Sequence, residues 1–267
     1  MNADASHFAI PTSMRFVRYL WRIPALLGLL LLAVIIGVLV VVLPSVAAEG
    51  REPFAQGLVR WWSAHLIWIF GFRIRVFGEL PREPLLIVAN HVSWLDVVVV
   101  YSQRAACFVA KSEIARWPLI GWLAGRAGTI FHRRGSTGSL DRVRATMVER
   151  LRAGRSIAIF PEGGIDHTRG IGTVRTFHAR IFQPALEVPV RVQPVALCYC
   201  RNGHLWNGVG FRDEETFAGN FLRLLGESPL DVEVHCLAPI AADPNAGRKH
   251  LANTVRGTIA GCVMSRA

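Results

Sequence analysis

Two long apolar stretches open the chain, and a regular alternation of shorter ones fills the rest. Residues 23–48 are 26 consecutive positions without a charge, rich in leucine and valine. As a helix rising 1.5 Å per residue, such a stretch reaches about 39 Å, more than the hydrocarbon core of a bilayer. Pro44 marks its expected end. A second segment, residues 54–72, sets Trp61, Trp62 and Trp68 among Leu58, Val59, Leu66, Ile67, Ile69 and Phe70. Tryptophan suits a membrane interface because its ring is apolar while its N–H stays wet. Together the segments predict a membrane-inserted helical hairpin, or a re-entrant helix beside an interfacial one. The alternative for the second segment is a core helix of the domain that follows.

From Arg73 onward, apolar runs read as strands over residues 85–88, 106–110, 129–132, 156–160, 190–199 and 232–237. Helical patterns separate them at residues 93–103, 112–124, 139–153, 174–186, 214–225 and 249–264. In the clearest, residues 139–153, Val143, Met147 and Leu151 form one stripe with arginines opposite, Ser139 as cap and Gly154 closing it. This alternation predicts an α/β fold with a mixed, mostly parallel central sheet flanked by helices. The expected organisation is a basic segment over residues 1–22, a membrane helix or hairpin over 23–72, and one domain over 73–267.

Charge narrows the partners. The chain of 267 residues has a net charge of +11, and of its 30 basic residues only Lys111 and Lys249 are lysines. The planar fork of arginine matches phosphate geometry, so an anionic membrane or a phosphorylated substrate fits. No basic recognition helix, zinc-finger spacing or RNA-binding aromatic signature is visible, and nucleic acid is not an expected partner. Five cysteines, an odd number, lack metal-ligand spacing. Cys198 and Cys200 share one strand face and read as reduced core residues, with no metal site expected. Arg15, Arg18 and Arg22 ahead of the first apolar stretch favour a cytoplasmic N-terminus. A hairpin then returns the chain to the same side, beside Arg73, Arg75 and Arg82. The expected location is the inner (cytoplasmic) membrane, with the domain facing the cytosol. A cleaved signal peptide ending near Val46-Ala47-Ala48 is the rival, but the apolar stretch exceeds the usual 7–15-residue core of such peptides.

The chemistry concentrates at strand ends. Asn90-His91-Val92-Ser93-Trp94-Leu95-Asp96 follows the apolar run at residues 84–89. His91 falls in a strand-to-helix turn and Asp96 in the first helical turn, where a base and the group that orients it can meet. On a continuous helix, positions five apart lie about 140° apart, so the turn makes the pairing possible. The plainer alternative is a capping box, Ser93 capping the helix and Asp96 serving its N-terminus. Three further segments stand at strand ends: residues 128–134 with Arg133 and Arg134, Phe160-Pro161-Glu162-Gly163-Gly164, and the strand interrupted by Pro194. Adjacent arginines can clamp a phosphate, and glycines admit backbone amides to a ligand. A proline inside a strand suggests an edge or a bulge.

In this order, the four segments resemble the sequence blocks of the glycerolipid acyltransferases, whose best-known bacterial member is 1-acylglycerol-3-phosphate acyltransferase. The N-H-x-S-x-x-D block matches at Asn90, His91, Ser93 and Asp96. The second matches at Gly128, Phe131 and Arg134; F-P-E-G matches at Phe160, Pro161, Glu162 and Gly163; the fourth lies around Pro194. The resemblance implies that residues 73–267 are an acyltransferase domain, with His91 and Asp96 catalytic and the other matched residues holding substrate. It implies transfer of a fatty acyl group from acyl-CoA or acyl carrier protein to a lysophospholipid hydroxyl, without a cofactor and without an acyl-enzyme. The lysophospholipid expected first is 1-acylglycerol-3-phosphate, giving phosphatidic acid. There are departures: Arg133 stands where the second block usually has aspartate, and Gly164, Ile165 and Asp166 stand where the third usually continues threonine-arginine-serine. That region holds the acceptor's phosphate in the family, so lyso-ornithine lipid or another lysolipid is the alternative acceptor, with Arg133, Arg169 or Arg175 as possible replacements. A thioester hydrolase and a non-catalytic lipid-binding membrane protein are the remaining alternatives. Amides near Val92 and Ser93 are the expected oxyanion donors.

Overall fold

The computed structural model describes residues 12–42, 52–117, 120–133, 137–165 and 171–267. The runs richest in β-branched and other apolar residues become the inner strands. β2 (Leu85–Ala89) is buried at all five positions, and β6 (Arg191–Arg201) is buried over nine consecutive residues. Strands covered on both faces lack polar alternation, and these two lie at the centre of the sheet. Around them stand β1 (Phe72–Phe77), β3 (Cys107–Lys111), β4 (Ile130–His132), β5 (Ile157–Ile159) and β8 (Leu230–Cys236), in the order β1-β8-β6-β2-β5-β3-β4. β7 (His204–Leu205) and β9 (Ile240–Ala241) pair antiparallel with β6. β2, β3, β4 and β5 run parallel, as do β2 and β6; β8 runs against β6. The mixed, mostly parallel sheet expected from the alternation is therefore present.

Helices cover both faces. On one lie α1 (Thr12–Val42), α2 (Glu52–Ile69), α3 (Leu95–Gln103) and α7 (Phe217–Leu225), sharing a core with Leu85, Ile87, Leu197 and Tyr199. On the other lie α5 (Thr137–Arg152), α6 (Gln183–Glu187) and α8 (Gly247–Met264), packed on Leu86, Val88, Ala196, Cys198 and Cys200. The two-residue period of the strands sorts their side chains between these cores. Cys198 and Cys200 do share a face, and burial lifts the Cys198 thiol to about 12. All five cysteines are free.

Several elements differ from the sequence-based expectation. β1 was not expected, because Arg73 and Arg75 read as a basic flank. Both instead pair with Asp231 of β8, at 2.9 and 3.2 Å, on an edge strand. Residues 173–178 form no helix but an extended strap, because Val174 and Phe177 enter the α8-side core while Thr173, Arg175, Thr176 and His178 stay exposed. Only a 3₁₀ turn (Ala179–Phe182) and the short α6 follow. Residues 112–124 split into a 3₁₀ turn (Ser112–Arg116) and α4 (Ile120–Arg126). α5 begins before Ser139, whose hydroxyl accepts the Arg133 amide at 2.9 Å and so holds the end of β4. Pro194 is not at a sheet edge: it faces Val88 of β2, midway between the residues of β6 that pair with β9 and those that pair with β8. Its carbonyl accepts from Leu237 on that side, so the missing N–H falls in the gap between two ladders and costs no ladder bond.

α1 and α2 run antiparallel. Trp62 Nε1 donates to the Leu29 carbonyl at 3.1 Å, and the Trp21 and Trp68 rings lie 5.5 Å apart. α2 ends inside the domain, with Leu66, Ile67, Ile69 and Phe70 buried in its core, while Trp61 and Trp68 are exposed. The basic residues expected ahead of the apolar helix belong to it. Arg15, Arg18, Tyr19 and Arg22 lie on one face and grip the C-terminal end of α7. Arg18 donates to the Gly226 carbonyl at 3.0 Å, Tyr19 to Leu222 at 2.9 Å, and Arg22 to Leu225 and Glu227 at 2.8 and 2.9 Å. Cations suit the carbonyl-rich end of a helix. On the outer face Phe16, Leu20, Leu27, Leu31, Ile35 and Val38 are exposed, and the window Met14–Val38 is long and apolar enough to cross a membrane. Near its far end, Gly37 lets the Trp122 ring of α4 approach to 2.1 Å from where a Cβ would stand. Pro44 and Val46-Ala47-Ala48 lie outside the described residues.

Arg22 is 2% exposed, and its removal strips a charged donor from two carbonyls. Arg22→Ala is expected to cost about 2 kcal/mol. Thermal unfolding of the purified chain in detergent should show a melting temperature several degrees lower, with Arg15→Ala, at a longer and more exposed ion pair, changing it much less.

Candidate active site

The carboxyl end of β2 delivers the residues at positions 90–96. Asn90, at the strand's last bend, is buried and turns its amide onto β6: Nδ2 donates to the Leu197 carbonyl at 3.0 Å, and Oδ1 accepts the Leu197 amide at 2.8 Å. This bracket locks the turn to the neighbouring strand. His91 then emerges half-buried, its ring stacked on Phe160 with centroids 4.3 Å apart. Its Nδ1 lies 2.8 Å from Asp96 Oδ2. The imidazole and the acid therefore face each other, as the turn spacing predicted.

Asp96 is 0% exposed, and among the described residues four donors meet its carboxylate. Oδ2 takes His91 Nδ1, the Val92 amide at 2.6 Å and the Ser93 amide at 2.9 Å. Oδ1 takes the Tyr199 hydroxyl at 2.6 Å. A buried charge requires such pairing. An ionised carboxylate only accepts, so the shared proton sits on Nδ1 and Nε2 is the basic nitrogen of the ring. Burial, and then the adjacent Asp96 charge, raise the Tyr199 pKa well above the ordinary phenol value. Tyr199 is therefore a hydroxyl donor.

The same bonds revise two expectations. The Val92 and Ser93 amides are spent on Asp96 and are not oriented as oxyanion donors. Ser93 is not the helix cap either: Trp94 occupies that position, and the Ser93 hydroxyl donates to the Val209 carbonyl at 3.1 Å. Asp96 keeps half of the capping-box geometry, through the Ser93 amide, while the serine arm fastens the loop before α7. That loop is stiff in turn. Arg223 donates to the Gly208 and Gly210 carbonyls and pairs with Glu215, holding the Glu215 carboxyl down to about 2. Asn220 Oδ1 accepts from Trp94 Nε1 at 2.9 Å.

The third block lies next to the first, because β5 pairs with β2. Glu162 is 2% exposed, and its carboxylate joins two backbones: Oε1 accepts the His91 amide at 2.8 Å, and Oε2 accepts the Arg175 amide at 3.0 Å. Pro161 is buried and its carbonyl accepts the His178 amide at 2.9 Å. Gly163 has φ +77°, and a Cβ there would stand 2.8 Å from His178 Nε2, so only glycine fits. Asn90, Ser93 and Glu162 thus spend polar atoms on holding the turn that carries His91, and Phe160 supplies the surface under the imidazole. The described residues of the second block lie in and ahead of β4, away from the turn. Gly128 takes φ +82° ahead of β4, Phe131 is half-buried in β4, and β4 is the edge strand two places beyond β5. Arg134 and Arg169 lie outside the described residues. Pro194, within β6 rather than at its end, is not among the residues at the turn. Tyr199, the strap at residues 173–178 and the Val209 carbonyl were not anticipated. The one sequence signal for Tyr199 is a hydroxyl in an otherwise apolar buried strand, which needs a partner.

The comparisons with known proteins agree with this arrangement. The family described as Acyltransferase matches residues 72–198. A lyso-ornithine lipid O-acyltransferase from Pseudomonas aeruginosa is 39% identical over 227 residues, covering 85% of this chain and 86% of that protein. A 1-acyl-sn-glycerol-3-phosphate acyltransferase from Neisseria gonorrhoeae is 36% identical over 128 residues, 47% of this chain and 49% of that protein. The crystal structure of the 1-acyl-sn-glycerophosphate acyltransferase PlsC from Thermotoga maritima superposes with a TM-score of 0.65 at 19% identity, covering 94% of this chain and 97% of that one, which shows a common fold. A histidine fixed by a buried aspartate at the carboxyl end of a central strand, and a relative aligned along most of both chains, make this chain a member of the glycerolipid acyltransferase family.

Proposed function

We propose that this chain transfers a fatty acyl group from a thioester, acyl-CoA or acyl carrier protein, to a hydroxyl of lyso-ornithine lipid at a membrane surface. The chemistry rests on the His91–Asp96 pair. An alcohol becomes a nucleophile when Nε2 takes its proton as it attacks the thioester carbonyl. Asp96, hydrogen-bonded to Nδ1, stabilises the imidazolium that forms. The proton then passes to the departing thiolate, which leaves readily because thiol pKa values lie near about 8.5. Bond made and bond broken balance without an acyl-enzyme, and Ser93, tied to Val209, is no nucleophile.

One observation carries the choice of acceptor: the proteins aligned with most of this chain, from Pseudomonas aeruginosa and from Brucella abortus (32% identical over 209 residues), are named lyso-ornithine lipid O-acyltransferases. The departure in the third block supports it. Ornithine carries a carboxylate and an ammonium group and no phosphate, and this chain has Gly164, Ile165 and Asp166 where the glycerophosphate pattern has threonine-arginine-serine. The exposed apolar face of α1, with Trp61 and Trp68 beside it, supports attachment to the inner membrane with the domain on its cytosolic side.

Incubating the purified chain with acyl-CoA or acyl carrier protein and a panel of lysolipids, followed by mass spectrometry, tests the acceptor. Doubly acylated ornithine lipid is the expected product; phosphatidic acid as the dominant product would overturn the acceptor assignment. His91→Ala is expected to lower kcat by a factor on the order of 10³, and Asp96→Asn by about 10² or more, without a change in membrane binding. Near-normal turnover by the purified His91→Ala protein would exclude the base.

A further inference from the structure

The two oxygens of Asp96 are served unequally. Among the described residues, the donors to Oδ2 come from residues 91–93, the same turn. Oδ1 is reached from outside it, by Tyr199 of β6, which is 103 positions away in sequence and 2.6 Å away in space. Tyr199 is 2% exposed and Asp96 0%, so no bulk water shares this bond. We propose that Tyr199 is a positioning residue that sets the basicity of His91 through Asp96, by holding part of the carboxylate's charge on a phenol O–H. This rests on the O-acyl transfer reading above, with His91 as base, and is independent of which lysolipid is the acceptor.

The sign follows from simple electrostatics. A hydrogen bond donated to Oδ1 draws negative charge away from Oδ2, so Asp96 stabilises the imidazolium less than an unencumbered carboxylate would. Taking the donor away concentrates charge opposite Nδ1, and His91 then holds its proton to higher pH. Such a base is free over a narrower range. The phenol remains protonated throughout, since burial and the Asp96 charge both oppose its ionisation.

The other ionisable groups around this turn do not substitute for Tyr199. Glu162, from the end of β5, accepts the His91 backbone amide and the Arg175 amide. Arg175 and His178 belong to the strap, where His178 lies against Gly163. On β8, which pairs with β6, Asp231 is held by Arg73 and Arg75, and Glu233 by Arg266 and His235. On α2, which packs on α3, His65 bonds the Trp61 carbonyl. α7 adds Arg223, paired with Glu215. Among the described residues, Tyr199 alone donates to Oδ1.

Tyr199→Phe keeps the ring and removes the donor. The acidic limb of kcat/KM, which reports the base in the free enzyme, is expected to move up by about half to one pH unit. On the acidic side of the limb kcat/KM should fall roughly three- to tenfold, with the acceptor KM unchanged. A merely structural tyrosine would leave the limb in place. The reverse experiment holds even if Tyr199→Phe folds poorly: 3-fluorotyrosine at position 199 alone, a more acidic donor of nearly the same shape, should move the limb downward. A turnover-independent readout is the low-field proton resonance of His91 Nδ1 in the full chain in detergent, which should shift in opposite directions in the two variants. Limbs and resonance that coincide with wild type in the fluorotyrosine protein overturn the proposal. If His91→Ala retains activity, the base assignment fails instead, which separates the two.

Discussion

A single buried carboxylate organises the turn at the carboxyl end of β2. Asp96 has no contact with solvent, and it is tolerable there because four donors converge on it. Three come from the turn that precedes it, so the charge that orients His91 also gives the turn its shape. Asp96 also stands in the first turn of α3, where the helix field favours a negative charge. An unpaired carboxylate in this position would cost several kcal/mol. The shape of the turn and the orientation of the His91 ring are therefore set by one carboxylate.

Around that ion the sheet order matters more than any single contact. β2 lies between β6 and β5, so the first block has the strand of Tyr199 on one side and Glu162 on the other. Asn90 fastens the turn to β6, and Glu162 fastens it to β5 and to the strap at residues 173–178. Arg256 of α8 holds the strap from behind, through the Val174 and Arg175 carbonyls. Matched residues that read as substrate ligands along the chain thus divide into those that face the reaction and those that keep the turn rigid. These bonds hold the His91–Asp96 pair in one geometry before any ligand arrives.

The N-terminal helices show the same economy. The arginines of α1 serve the C-terminal carbonyls of α7 on one side, while apolar side chains fill the other. The domain and its long apolar helix are joined by hydrogen bonds, not only by the connecting chain. Glu227 receives Arg15 and Arg201 as well, which concentrates the attachment at one corner of the domain.

Much of this was visible before folding. Inner strands such as β2 and β6 announce themselves by unbroken apolar runs, and α3, α5, α7 and α8 by their periodicity, because each pattern answers to burial on a definite face. The proximity of His91 and Asp96 followed from a spacing that only a turn can close. By contrast, β1 was hidden by arginines whose role depends on Asp231, and the strap at residues 173–178 looked helical because Val174 and Phe177 suit a helix face equally well. Nothing local separates Asn90, Ser93 and Glu162 as struts from the same residues as ligands. Nor does any pattern announce that Tyr199 will meet Asp96. The chain by itself determined the elements, the dyad and the family blocks, since these depend on neighbours a few residues apart. Tertiary structure alone decided that Tyr199 donates to Asp96 and which face of α1 packs on α7 and which stays exposed, since those depend on groups a hundred or more residues apart being brought within hydrogen-bond reach.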